Sequence, residues 1–288
     1  MPPILASVSP LKEATIAIVG TGAMAEAMIA GLLSGGHVAA AQVIASDPRA
    51  ERREAVEAKY GIRTTGSNTE AVDGADIVVL AIKPQMLLRV GRELSAVLAP
   101  DQLVISILAG STTVALGNAM RHDAVVRAMP NTPAQLSKGM TVWCATEQVS
   151  DVQRSQAAAL LTSLGKEIFV EDEKYVSMST AVSGTGPAYV FMVMEALIDA
   201  AVHLGFPRHI AHDLVIETLL GGTLLAQESG DHPAYLRNMV TSPAGTSAAA
   251  IAEMEKGRLR TVLSEAVFAA YRRTEELGRE LEEETAAE

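Results

Sequence analysis

Two short stretches hold the residues whose types and spacing could do chemistry. Gly20-Thr21-Gly22-Ala23-Met24-Ala25 follows a β-branched run and opens an Ala- and Met-rich one. A strand, then Gly-x-Gly, then a helix is the context that a dinucleotide-binding turn requires. Gly20 permits the tight turn, Gly22 lets the backbone approach a pyrophosphate, and Ala25 stands where a third glycine would let the helix pack on the sheet. Backbone N–H groups at the helix start would then hold the phosphates. An isolated Gly-x-Gly is often only a turn, and the flanking strand favours the cofactor reading. The second stretch is Val240 to Ser247, VTSPAGTS, ahead of the helical run Ala248 to Lys256. Its small residues and hydroxyls at a helix start offer a small carboxylate free N–H groups and a positive dipole end, or else form an ordinary Ser/Thr cap.

Other residues cluster at predicted strand ends. Asp47 ends the second strand, where an acid usually bonds the adenosine ribose of NAD, but Arg49, Arg52 and Arg53 follow at once and an Arg there can accommodate the 2′-phosphate of NADP. The phosphate preference stays open on these residues. Lys83 closes Ala81-Ile82-Lys83-Pro84 at the end of the fourth strand, well placed for a cofactor, or is simply a solvated residue before a helix that starts with Pro84. Ala109-Gly110 and Met129-Pro130-Asn131-Thr132-Pro133 end the fifth and sixth strands, the latter a rigid, shaped loop. Ser183-Gly184-Thr185-Gly186-Pro187-Ala188-Tyr189 reads as a loop entering a helix. No catalytic triad or paired carboxylates appear. The six histidines are scattered, with no metal-ligand set around them, and no metal is expected.

Positioning these residues calls for two kinds of architecture. From Thr15 to Val170, β-branched runs alternate with Ala-rich helical stretches, the mark of strand–helix–strand units and a parallel sheet. Eight strands are predicted: Thr15 to Val19, Val43 to Ser46, Ile62 to Thr64, Ile77 to Ile82, Leu103 to Leu108, Val125 to Met129, Thr141 to Ala145 and Glu167 to Val170. Helices are expected over Glu51 to Tyr60, Gln85 to Leu98 and Val152 to Leu164. After Glu173 the β-rich runs vanish and Ala, Leu, Met and Glu dominate through Leu281, with breaks at Gly184 to Pro187, Gly205 to Pro207, Ser229 to Pro233 and Ser242 to Gly245. The expected fold is therefore α/β, a Rossmann-type doubly wound sheet over residues 1–172 followed by an all-α domain over 173–288. Pro187 to Leu204 is apolar on nearly every face and should be buried, within the chain or between subunits, which makes obligate dimerisation the working expectation.

Composition bounds the function class. At 288 residues and 49% hydrophobic content the chain can fill two domain cores, and a net charge of −11 disfavours nucleic acid or an anionic membrane as partner. A small molecule is the expected partner. Cys144 is the only cysteine, which rules out an intrachain disulfide and fits a reducing cytoplasm. Met1 to Glu13 reads as a loose tail without a basic n-region, and the acidic run Glu275 to Glu288 as a solvated helix end that frays. The longest apolar stretch, Ala188 to Leu197, is interrupted by Glu195 and falls short of the roughly 20 residues of a membrane helix.

Taken together the motifs resemble one family, pyrroline-5-carboxylate reductase, the last enzyme of proline biosynthesis. The likeness spans the chain: GTGAMA at Gly20, VVLAIKPQ at Val78, VISILAG at Val104, VVRAMPNTP at Val125, AVSGTGPAYVF at Ala181 and HPAYLRNMVTSPAGTS at His232. The resemblance implies a nucleotide domain, then a helical domain that interlocks two subunits, with such dimers often assembled into larger rings. It implies NADPH as cofactor, with NADH as an alternative. The cofactor would touch Val19, Gly20, Thr21, Gly22, Ala23, Met24, Asp47, Asn68, Ala81, Ile82, Lys83, Pro84 and Ala109. The imine substrate would sit at Ser242, Gly245, Thr246 and Ser247. Three positions depart from the family pattern: Thr185 stands for a serine, Ala244-Gly245 for a glycine pair and Ser247 for a threonine, each keeping size or hydroxyl.

On that resemblance, the substrate carboxylate rests on the N–H groups of Gly245, Thr246 and Ser247. Ser247, the candidate catalytic residue, hydrogen-bonds the ring nitrogen of an imine that arrives already protonated. Two rivals carry the same Gly loop. A β-hydroxyacid dehydrogenase relies on a lysine in the first interdomain helix, whereas Pro187 to Leu204 contains none. A catalytically silent redox sensor would bind the dinucleotide but has no use for an intact SPAGTS.

Overall fold

The computed structural model describes residues 9–287. Eight strands form one sheet in the order β3-β2-β1-β4-β5-β6-β7-β8. They are β1 (Ile16–Val19), β2 (Val43–Ser46), β3 (Arg63–Thr65), β4 (Ile77–Leu80), β5 (Leu103–Ser106), β6 (Val125–Met129), β7 (Gly139–Ala145) and β8 (Gly165–Phe169). Strands β1, β2, β4 and β5 are buried along their whole length, as apolar runs covered on both faces should be. The helices of this half are α1 (Ala23–Ser34), α2 (Ala50–Tyr60), α3 (Asn68–Val72), α4 (Leu87–Ser95), α5 (Thr113–Met120), α6 (Asp151–Thr162) and α7 (Lys174–Ser179). Helix α1 buries Ala25, Met28, Ile29 and Leu32, the spacing of one helical face, in a core shared with Ile16 and Ile18 of β1.

The expected strands and helices form, with one correction. β7 runs antiparallel to β6, pairing Val126 with Ala145 and Met129 with Val142, so the sheet is not wholly parallel. The physical reason is the short link between Met129 and Gly139, which cannot hold the dozen or more residues of a parallel crossover. The switch in strand order falls between β1 and β4, and the carboxyl ends of these two strands border the crevice where such sheets bind ligands.

Helices α8 (Gly186–His203), α9 (Arg208–Ser229), α10 (Pro233–Met239), α11 (Thr246–Lys256) and α12 (Leu259–Ala286) complete the chain. Compact units do not follow the 172/173 division read from the sequence: one comprises the chain through Thr185 together with Ala270 onward, the other Gly186–Ala269. Segment 173–185 belongs with the sheet because Val176 packs with Val142 and Cys144 and Glu173 pairs with Arg127. The acidic C-terminal run is likewise more than a frayed end. Leu281 joins the core of Val19, Leu80 and Leu108, and Gly278 lies against Gly110 and Thr112, although Glu275, Glu276, Glu280, Glu283 and Glu284 face solvent.

Three further expectations need correcting or bounding. Of the predicted loose tail, residues 1–8 lie outside the described residues. Ser9 to Glu13 is held, with Leu11 fully buried and the Gln42 amide donating to the carbonyls of Lys12 and Ala14, both at 2.9 Å. Helix α8 is not buried within the chain: none of its residues is. Finally, helical residues run almost unbroken from Lys174 to His203, a 30-residue run holding an 18-residue window of mean hydropathy 1.3, which passes for a membrane span on length and composition. The sequence reading missed this run because it placed a break at Gly184 to Pro187, where the structure has a π-helical turn, Thr180–Gly184, leading into α8.

Candidate cofactor and substrate sites

At the end of β1 the chain turns through Gly20 with φ +97°, its N–H donating to the Ser46 carbonyl at 2.8 Å. A side chain on Gly20 would stand 2.7 Å from the Ala81 carbonyl oxygen, so only glycine brings β1 and β4 this close at their ends. Gly22 caps α1 without a side-chain hydrogen bond, and a Cβ there would meet nothing within 4 Å. That open space over the uncapped N–H groups of a 12-residue helix fits a pyrophosphate. Ala25 is fully buried beneath it, the close packing its small size allows.

The predicted cofactor residues divide by what their side chains already do. Val19 and Thr21 are fully buried, Val19 in the core with its carbonyl accepting from the Ala81 N–H and Thr21 with its hydroxyl and N–H on Asp47, so neither side chain faces the loop. Ala23 is exposed and Met24 half-buried at the start of α1. Ala81 and Ile82 follow β4 half-buried, and exposed Lys83 caps the short 3-10 turn Pro84–Met86. Asn68 is committed: its Oδ1 accepts from Ser46 at 2.8 Å and its Nδ2 donates to Glu93 at 2.7 Å. Ala109 lies half-buried after β5, beside Gly110 with φ +79°.

Asp47, only 4% exposed, is the most heavily engaged group of this end. Its Oδ2 accepts from the Thr21 N–H (3.2 Å), the Thr21 hydroxyl (2.8 Å) and Nη2 of Arg49 (2.9 Å). Its Oδ1 accepts from Nε (2.9 Å) and the backbone N–H (3.0 Å) of Arg49. Burial raises its pKa, but the hydrogen bonds from Arg49 and then Thr21 outweigh that and hold the carboxyl far below the usual range. The three arginines, indistinguishable in the sequence, have three different settings. Arg52 is spent on the Thr21 carbonyl and on Glu26; Arg53 donates to the Asp47 carbonyl at 2.8 Å; Arg49 is two-thirds exposed.

In the second unit, Ser242, Pro243 and Ala244 form an exposed turn into α11, closed by the Gly245 N–H donating to the Ser242 carbonyl at 3.0 Å. Ala244 sits at φ +58°, a left-handed conformation that explains why glycine suits this position better. Gly245 caps α11 with no side-chain hydrogen bond, so the plain Ser/Thr cap weighed from the sequence does not form. The expected three-donor seat is corrected: Gly245 spends its N–H within the turn, and the first-turn donors of Thr246, Ser247 and Ala248 remain.

A feature not read from the sequence is a pair of ties around the MPNTP loop. Asn131 donates to the Ser183 carbonyl at 3.0 Å and accepts from the Met140 N–H at 2.9 Å, while buried Arg127 on β6 bonds Glu173 at 2.7 Å and Ser177 at 3.1 Å. An Arg inside an apolar strand run was the available signal. Among the described residues no group of three or more His, Cys, Asp or Glu could hold a metal ion.

Comparison with known proteins places this arrangement. A family model described as pyrroline-5-carboxylate reductase dimerisation matches residues 173–277, and one described as NADP oxidoreductase, coenzyme F420-dependent, matches residues 15–110. A pyrroline-5-carboxylate reductase of Pseudomonas aeruginosa is 42% identical over 267 residues, 92% of this chain and 97% of the relative. The chain belongs to the pyrroline-5-carboxylate reductase family. The solved structure of the Coxiella burnetii pyrroline-5-carboxylate reductase superposes with a TM-score of 0.85 at 35% identity, covering 92% of this chain and 98% of that one. That of the Plasmodium falciparum pyrroline carboxylate reductase, with NADP bound, gives 0.82 at 26% identity over 93% and 99%. Like the family, this chain joins an NAD(P)-type sheet domain to a helical dimerisation region.

Proposed function

We propose that this chain reduces 1-pyrroline-5-carboxylate to L-proline with NADPH as the preferred reductant and NADH as an alternative, in the cytoplasm and as a homodimer that assembles into a larger ring. Family membership over nearly the whole chain is the observation that carries the reaction, and the NADP-bound relative supports the cofactor. Neither a nucleic acid nor a membrane is part of this reading. The apolar run from Lys174 falls within the dimerisation match and is assigned to subunit contact.

When bound, the reduced dinucleotide supplies a hydride to the imine carbon, and a proton on the ring nitrogen completes the amine. Gly20 to Met24 are the pyrophosphate turn, with Asp47, Asn68, Ala81 to Pro84 and Ala109 along the rest of the dinucleotide. In the α11 turn, the Thr246 and Ser247 N–H groups take the substrate carboxylate and Gly245 and Ser242 shape the turn. The Ser247 hydroxyl orients the ring nitrogen. A hydroxyl is too weak an acid to protonate an imine by itself, so these residues act by placement and by polar complementarity to the iminium.

The test is loss of reduced nicotinamide absorbance with pyrroline-5-carboxylate, with NADPH and NADH in parallel. Turnover is expected with NADPH favoured, and Ser247→Ala should lower kcat/KM about tenfold or more. No turnover with either cofactor overturns the reaction, and full turnover in Ser247→Ala overturns the role of Ser247.

A further inference from the structure

An acid at the end of the second strand of such a sheet ordinarily receives the ribose hydroxyls of NAD. Asp47 occupies that place but accepts five hydrogen bonds, all from Thr21 and Arg49, and is almost wholly buried. A ribose hydroxyl would have to displace one of these donors. Arg49, in contrast, uses only Nε and Nη2 toward Asp47. A guanidinium carries five N–H donors in a planar fork, so the Nη1 side of Arg49 keeps N–H groups in the same plane, on a side chain 67% exposed. Arg53 adds a second positive charge, fixed to the Asp47 carbonyl at 2.8 Å.

We propose that Asp47 is a positioning residue that aims Arg49 at the 2′-phosphate of NADPH, and not an acceptor for the ribose of NADH. The inference rests on the dinucleotide reading above and refines it. Asp47 grips one edge of the guanidinium and fixes the plane of the fork, and the other edge presents paired donors to a phosphate, the geometry in which Arg binds phosphate best. Arg53 lends charge from the same strand end, while Arg52 keeps the Gly loop in place through the Thr21 carbonyl and does not reach for the ligand. The two readings of Asp47 predict opposite signs. If it were a ribose acceptor, removing its charge would favour phosphorylated ligands; as the anchor of Arg49, removing it disfavours them.

Isothermal titration with 2′-phospho-ADP-ribose and ADP-ribose, which carry no hydride, reads the ratio of the two affinities apart from catalysis. The wild type should bind the phosphorylated probe at least about tenfold more tightly. Arg49→Ala should abolish most of that ratio with ADP-ribose affinity nearly unchanged, and Arg49→Lys, a point charge without the fork, should restore it only in part. In Asp47→Asn the ratio should fall several-fold. A ratio that stays or rises in Asp47→Asn, or survives Arg49→Ala, overturns the proposal while leaving dinucleotide binding intact. Failure of the wild type to bind either probe overturns the dinucleotide reading and this inference with it.

Discussion

At the scale of single residues, chemistry depends as much on what silences a group as on what activates it. Cys144 lies in β7, 2% exposed and packed with Val142 and Val176. Burial is the main cause that pushes its thiol up to about 12, and the Glu173 charge adds to it, against an opposing effect of Arg127. Since only the thiolate reacts, a rise of about three units from the ordinary value leaves on the order of a thousandfold less of it at neutral pH. Alkylation of the native protein should therefore be slower than that of the urea-unfolded chain by that order. Labelling of native Cys144 at the unfolded rate would show that β7 opens or that the thiol is not desolvated. The contrast with Asp47 is instructive: both are buried, but five donors keep the carboxylate ionised, whereas the thiol has no comparable set.

At the scale of elements, the Arg127–Glu173 pair fastens α7 to the sheet. The Arg127 side chain is 3% exposed and that of Glu173 29%, with Glu173 also accepting from the backbone N–H and hydroxyl of Thr113 at the start of α5. Removing one partner of such a pair leaves a desolvated charge, so Glu173→Ala should cost about 3 kcal/mol or more. Glu173→Gln, which keeps the shape, should cost about 1–2 kcal/mol. Arg208→Ala, which breaks a pair whose side chains are 68% and 49% exposed, should stay below about 1 kcal/mol. Urea-unfolding midpoints check this order, and a Glu173→Ala protein no weaker than Arg208→Ala would deny the tie its importance. This is also the scale at which the sequence is read most and least well. Strands such as Ile77–Leu80 are legible because burial on both faces demands an unbroken apolar run. The reversal of β7 was hidden because an apolar run does not carry direction, and the only clue was the length of the link before Gly139. At the sites, the Gly20 turn is legible from a glycine requirement that the Ala81 carbonyl explains. The separate settings of Arg49, Arg52 and Arg53 were not legible, since they depend on Thr21, Glu26 and the Asp47 carbonyl, residues distant in sequence or backbone atoms common to every residue.

At the scale of the whole molecule, the unit Gly186–Ala269 does not bury enough to stand alone. Only Ala211 and Val215 of it are buried, while Phe191 is 61% and Met192 73% exposed on α8 and Leu225 54% on α9. Ordering each residue costs about 1–2 kcal/mol, and two buried side chains cannot offset that over such a length. The apolar faces must therefore be covered, and the proposed cover is a second copy of the chain, in keeping with the dimerisation match over residues 173–277. Sedimentation equilibrium should find the wild type at dimer mass or above at micromolar concentration, with a Tm that rises with concentration, as folding linked to association requires. Placing a charge in the middle of that face, as in Phe191→Glu, should shift the protein toward the monomer and lower its helix content, because the faces that lose their partner have no core of their own to fall back on. A wild-type monomer with full helix content and a concentration-independent Tm would mean that these helices stand uncovered, and would sink both the dimer and the reason given for the apolar character of α8.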